Sequence, residues 1–190
     1  MRLELLCSAS TAGLRGGFFP TADEPLDQKG RVALARLAGR LGDYDRIVAS
    51  PALSAMETAR GLLLAATPEP ALRDGDFGRW AGRALMEVEA LEPEALALWL
   101  RNAGVAPHGG ESFADVAKRV GQWMDALPEK SGVVLAITHA AVLRAAIVHA
   151  LGAPSPSLLS IDVSPLGRAR FARARGTWRF GALLPLKLSR

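Results

Sequence analysis

The sequence predicts an α/β fold, in which helices cover a sheet, and three observations carry that expectation. Apolar segments of strand length alternate with segments of helical periodicity through the first part of the chain. Residues 133–137 form a continuous apolar run that passes through Thr138-His139 into a helical pattern at 140–151, the strand, tight turn and helix of a parallel-sheet unit. No internal repeat, low-complexity tract or Pro/Ser linker divides the 190 residues, so the segments share one core in one domain.

The elements follow in order. Residues 3–6 read as a short buried strand that opens into a loop over 8–24. Leu34, Leu37, Ala38 and Leu41 recur at helical spacing and predict an amphipathic helix over about 28–41, ended by Gly42. Residues 46–49 are a strand, and Ser50-Pro51 a cap and first-turn pair for a helix over 52–66. Residues 84–103 are helical, with Pro93 breaking them into two helices. Ser112 opens another helix, with Asp115 in the N3 position of a capping box and Val116, Val120, Trp123, Met124 and Leu127 as its apolar stripe. Residues 158–163, 169–174 and 178–183 read as closing strands.

Composition narrows the function classes. An apolar fraction of 49% with 22% charged residues is that of a globular protein. The single cysteine, Cys7, has no partner in the chain, and the opening residues reach Ser8 and Ser10 too soon for a secretory apolar region, so a cytoplasmic protein is expected. No apolar run approaches the roughly 20 residues that span a bilayer, so no membrane partner is expected. The net charge of +4 is concentrated late, in Arg168, Arg170, Arg173, Arg175, Arg179, Lys187 and Arg190. These read first as the solvated face of an exposed hairpin and only secondarily as a polyanion-binding stripe.

Thr138-His139 is the strongest candidate for chemistry. It lies where a strand feeds a helix N-terminus, whose amides hold anions, and an imidazole there titrates near neutrality. His108 and His149 read as structural or solvated. No second His, Cys or carboxylate stands at ligand spacing from His139, so neither a metal nor a cofactor is expected.

Ordered motifs make the reading specific. Asp23-Glu24-Pro25-Leu26-Asp27-Gln28-Lys29-Gly30 resembles the Asp-x-Pro-Leu-Thr-x-x-Gly of the histidine phosphatase (phosphoglycerate-mutase-like) superfamily. The run from Ala49 through Ser50, Pro51, Ser54 and Thr58 to Ala59 resembles its Ser-Ser-Pro-Leu-x-Arg-Ala-x-Gln-Thr-Ala. Leu72 to Gly82, with Asp74, Phe77, Gly78 and Trp80, resembles Leu-x-Glu-x-x-Phe-Gly-x-Trp-Glu-Gly. Gly109-Gly110-Glu111-Ser112 resembles Gly-Gly-Glu-Ser, and Thr138-His139-Ala140 resembles Ser-His-Gly. The resemblance implies a three-layer α/β/α sandwich around a mixed, mostly parallel sheet, with a helical insertion at about 80–110 that sets selectivity.

The likeness fails where the family's chemistry lies. Its first strand ends in Arg-His-Gly, whose histidine becomes phosphorylated; here Cys7-Ser8-Ala9 stands in that place. The second phosphate-clamping arginine falls on Ser54, and an asparagine that often follows the first motif falls near Leu14. What the resemblance retains is His139 and Asp74 as catalytic positions, the latter at the general-acid position with Asp76 as a nearby substitute, together with Thr11. Ser8 occupies the nucleophile position, and Cys7, Thr11, Arg15, Ser54, Glu111 and Ala140 are the expected substrate-binding positions.

The expected protein is therefore a degenerate family member, noncatalytic or very weakly active, that binds a small phosphorylated metabolite or a partner in the old cleft. One alternative is an active phosphomonoesterase of phosphoglycerate-mutase or α-ribazole-phosphatase type, rewired so that His139 activates Ser8 and Arg15 swings in to hold phosphate. The other is a polyanion binder using the C-terminal arginines, with nucleic acid the less favoured partner. A homodimer is the common assembly for such folds.

Overall fold

The computed structural model describes residues 1–185. A six-stranded sheet forms from β1 (Arg2–Cys7), β2 (Arg46–Ala49), β3 (Thr67–Pro68), β4 (Val133–Thr138), β5 (Gly167–Ala174) and β6 (Thr177–Pro185). Their order is β3-β2-β4-β1-β5-β6, with β3, β2, β4 and β1 parallel and the β5–β6 hairpin antiparallel. The helices are α1 (Ala12–Gly16), α2 (Gln28–Leu37), α3 (Leu53–Gly61), α4 (Leu85–Leu91), α5 (Pro93–Arg101), α6 (Phe113–Ala126) and α7 (Ala140–Leu151).

The alternation of side chains along each strand divides the core into two layers. Leu3, Leu5, Cys7, Val48, Val134 and Ala136 face one side and pack with Val116, Val120 and Met124 of α6 and Val142 and Leu143 of α7. Leu6, Ala49, Leu135 and Ile137 face the other and pack with Leu34 and Leu37 of α2 and Ala55 and Ala59 of α3. β4 is apolar on both faces because it lies between β2 and β1 under both helix layers. A separate cluster of Phe19, Trp80, Val88 and Leu96 ties α4 and α5 to the loop after α1. Among the described residues no helix is long and apolar enough to cross a membrane.

Several expected boundaries move. α2 stops at Leu37, before Leu41, because the chain turns through Gly39 at φ +70°. α3 ends at Gly61 rather than Ala66, and Leu63 exits it at φ +62°. α1 and β3 are too short for any periodicity to show in the sequence. The expected strand at 158–163 does not form: Ser155–Ser160 is a 3₁₀ segment, with Pro156 in its first turn, where its fixed φ fits, and with Leu158 as its buried residue. The basic hairpin is not a free solvated ribbon. β5 pairs along β1, burying Ala169 and Phe171, while Arg168 and Arg170 close on Glu4. Lys187 and Arg190, counted in the basic stripe, lie outside the described residues.

Two of the motif glycines have a plain steric reason. A Cβ on Gly30 would lie 2.6 Å from the carbonyl oxygen of Ser10, so α2 approaches the β1–α1 loop backbone to backbone. A Cβ on Gly110 would lie 2.0 Å from the carbonyl oxygen of Asp76, and only glycine lets the Gly109-Gly110 turn sit against the Asp76–Gly78 turn.

Candidate active site

The candidate site lies at the carboxyl ends of β1, β4 and β2, where Cys7 lies in register with Thr138 and Ala49 with Ile137. This is the end at which ligands of open parallel sheets bind. The backbone there is held from several sides. The Ser8 amide donates to the Thr138 carbonyl at 2.7 Å, and the Ser8 carbonyl accepts from the Leu166 amide at 3.3 Å. The Ala9 amide donates to the hydroxyl of Thr58, which itself donates to the Ser54 carbonyl at 2.7 Å; both side-chain bonds are buried. Thr138 donates through Oγ1 to the Leu72 carbonyl at 2.6 Å, tying the end of β4 to the segment that carries Asp74.

His139 is the N-cap residue of α7 and is 7% exposed. Its Nε2 lies 2.8 Å from the hydroxyl of Ser50, and its Nδ1 lies 3.7 Å from Oδ2 of Asp74. Ser50 Oγ already accepts the Ala52 amide, so its own proton is free to point at Nε2. That assignment leaves the ring proton on Nδ1, facing Asp74 across a gap too long for a direct hydrogen bond. Burial lowers the pKa of His139 below 6.5; the Asp74 charge opposes this and Arg119 adds to it, so the ring is neutral at neutral pH. Ser50, which the sequence presented only as a helix cap, is thus the partner that positions His139. The motif around it was legible, but this contact joins the residues that follow two different strands, β2 and β4.

The other expected residues are dispersed in role. Cys7 points into the core beside Leu5 and Val142, and its thiol is pushed up to about 12 by burial and then by the Asp74 charge, against the Arg144 charge. It is a thiol and not a thiolate. Thr11 caps α1 by accepting the Leu14 amide. Arg15 is not swung into the cleft: its Nε pairs with Asp27 at 3.3 Å. Asp27, which the sequence did not single out, caps α2 through the Gly30 amide. Glu111 is a strut and not a free ligand, because Arg119 grips both its oxygens at 2.9 Å and Arg73 approaches at 2.8 Å. Ser54 is buried at the start of α3, and Ala140 is the first residue of α7. Ser8 is buried at the end of β1, Leu14 is exposed on α1, and Asp76 binds its own turn through the Gly78 amide.

The remaining histidines lie elsewhere. His149 pairs with Asp125 at 3.1 Å. His108 is 2% exposed among Phe77, Trp80 and Trp99, with Nδ1 accepting the Gly110 amide. Burial lowers its pKa from 6.5, with Asp76 opposing and Arg79 adding. Among the described residues no group of three or more His, Cys, Asp or Glu is placed to hold a metal ion.

The two depressed imidazoles give a definite pH dependence. In the unfolded chain they protonate near 6.5, whereas in the folded chain they stay neutral to lower pH, so below 6.5 the unfolded state binds more protons. Their contribution is complete above that value and is lost as pH falls toward the folded pKa values. The thermal midpoint is expected to be level from pH 8 to 7 and to fall below about 6.5. His108→Asn, which keeps an acceptor for Gly110, should flatten that fall; an unchanged profile removes His108 from the account.

Comparison with known proteins then decides the family. The profile of the histidine phosphatase superfamily (branch 1) matches residues 6–183. The chain belongs to that superfamily. This histidine phosphatase homologue is 33% identical over 147 residues to a bifunctional protein of Mycobacterium tuberculosis, covering 73% of the chain but 40% of that relative's length. It is 28% identical over 176 residues to glucosyl-3-phosphoglycerate phosphatase of the same organism, covering 84% of the chain and 78% of that enzyme. The structure of the mycobacterial glucosyl-3-phosphoglycerate phosphatase with VO3 superposes with a TM-score of 0.84 at 26% identity, over 97% of this chain and 98% of that one. The mixed sheet with helices on both faces is the superfamily's α/β architecture.

Proposed function

We propose that this chain binds a small phosphate ester in the cleft at the ends of β1 and β4, and that it does not carry the phosphoryl group on residue 8. The observation that supports this most directly is the pairing of His139 with Ser50 at 2.8 Å. The imidazole that would have to activate Ser8 is already held by another hydroxyl, and a serine without a base is a weak nucleophile. Cys7 and Ser54 supply no cation, and Arg15 is committed to Asp27. Losing two guanidinium hydrogen bonds to an anion removes roughly 3 to 6 kcal/mol of phosphate stabilisation if the losses add. The likeness to a glucosyl-3-phosphoglycerate phosphatase supports a phosphate ester as the ligand class.

The test is turnover and trapping with a generic aryl phosphate and a radiolabelled phosphate ester. The expected result is no acid-labile phosphoenzyme, and hydrolysis no faster in the unaltered chain than in His139→Ala. A hydrolysis rate that disappears in His139→Ala overturns the reading. In the combined variant Cys7→Arg, Ser8→His and Ser54→Arg, an acid-labile phosphoenzyme is expected, since the scaffold around residue 8 is held in place.

A further inference from the structure

Among the described residues, three arginines near the site are committed to partners and a fourth is not. Arg15 is paired with Asp27, Arg73 with Glu111, and Arg119 with Glu111 and the carbonyls of Ala71 and Arg73. The fourth is Arg144. It stands in an otherwise apolar stretch of α7, between the buried residues Val142, Leu143, Ala145 and Ala146. It follows Ala140, the first residue of the helix, by four positions, and so lies on the same face one turn further in. Its Nε is buried and has no hydrogen-bond partner among the described residues. Arg168 and Arg173 also have a buried, unpartnered Nε, but their other nitrogens engage Glu4 and the carbonyls of Asp125 and Leu127.

Burying an unpaired guanidinium N–H is unfavourable, and an acceptor arriving from outside removes the cost. The position of Arg144 suits such an acceptor. Cys7 faces the layer of α6 and α7, and its thiol feels the charges of both Arg144 and Asp74. Cys7 packs in one cluster with Val142 and Leu143, so the part of α7 that carries Arg144 lies against the strand end at which the resemblance places the family's first arginine. We propose that Arg144 is the anion-binding cation of this cleft, reaching from the second turn of α7 to the end of β1 to hold the oxyanion of a phosphate ester. This rests on the reading of the cleft as a phosphate-ester site.

The experiment is calorimetric titration of the full chain with inorganic phosphate. Arg144→Gln is expected to weaken binding about ten- to a hundredfold, the worth of one charge-assisted hydrogen bond. Arg144→Lys should weaken it less, because the charge remains without the planar fork. Adding Cys7→Arg to Arg144→Gln should restore part of the loss, which a merely structural role for Arg144 does not predict. A thermal melt checks that each variant is folded, and Arg144→Met replaces the glutamine variant if that one is not. An unchanged affinity in Arg144→Gln overturns the assignment of Arg144 and leaves the cleft reading standing. Absence of phosphate binding by the unaltered chain at millimolar concentration overturns both.

Discussion

Replacing Trp80 by alanine is expected to cost about 3 to 5 kcal/mol of folding stability, the range for removing a fully buried tryptophan. Trp80 is 0% exposed, and its ring lies 5.3 Å from Phe19, 5.9 Å from Trp99 and 5.0 Å from His108 between centroids. These neighbours come from separate stretches of chain, so they have no single route by which to collapse into the cavity. Phe77, which precedes the Gly78 turn that Gly110 meets backbone to backbone, packs against the same cluster. The loss should therefore loosen the segment that leads back to Asp74 as well as the α4–α5 unit. Urea unfolding followed by far-UV circular dichroism measures it. A change below about 1 kcal/mol would show that the cluster packs more loosely than these distances imply.

Arg119→Ala is expected to cost about 2 to 4 kcal/mol, because it strips partners from a half-buried carboxylate and from backbone carbonyls at once. Its Nε and Nη2 each bond Glu111 at 2.9 Å, and Nη1 bonds the carbonyls of Ala71 at 2.7 Å and Arg73 at 3.1 Å. Nη2 also reaches the Asp74 carbonyl at 3.3 Å. One guanidinium thus sets the path of the chain that presents Asp74 to His139. Lysine should recover little, since it lacks the planar fork that spans both sides. A second readout separates this from simple loss of packing. Burial first, and the Arg119 charge after it, hold the His139 pKa down against the Asp74 charge, so removing Arg119 should raise the imidazole's titration midpoint in an NMR pH series. A midpoint that stays in place, or a stability loss under about 0.5 kcal/mol, would contradict the strut role.

The parts of the fold that the sequence disclosed are those whose signal is local. The capping box of Ser112 and Asp115 forms as written, with the Ser112 amide donating to Asp115 and the Asp115 amide to Ser112. α7 spans the residues its apolar pattern marked, and Pro93 opens α5 where the pattern breaks. Where the sequence misled, a neighbouring segment or a local backbone demand overrode the pattern. The stretch around Leu158 is apolar enough for a strand, yet its prolines and its position under α6 and α7 make it a 3₁₀ plug. Of the β5 arginines Arg170 is exposed, as the sequence suggested, whereas Arg168 and Arg173 are largely covered, because the sequence does not reveal that Glu4 and Glu129 lie beside them.

By itself the sequence pointed to the superfamily and the order of the longer elements, and it set the expectation that Ser8, Cys7 and Ser54 stand where the family has its histidine and arginines, since these are matters of residue identity along the chain. Only the tertiary structure decided which charges are committed and which side chain holds His139. Arg15 meets Asp27, Arg119 meets the Leu72–Asp74 segment, and Ser50 meets His139 across 89 positions of sequence. Hydrogen bonds and ion pairs act over a few ångströms and depend on which segments cross, and sequence spacing carries no record of those crossings.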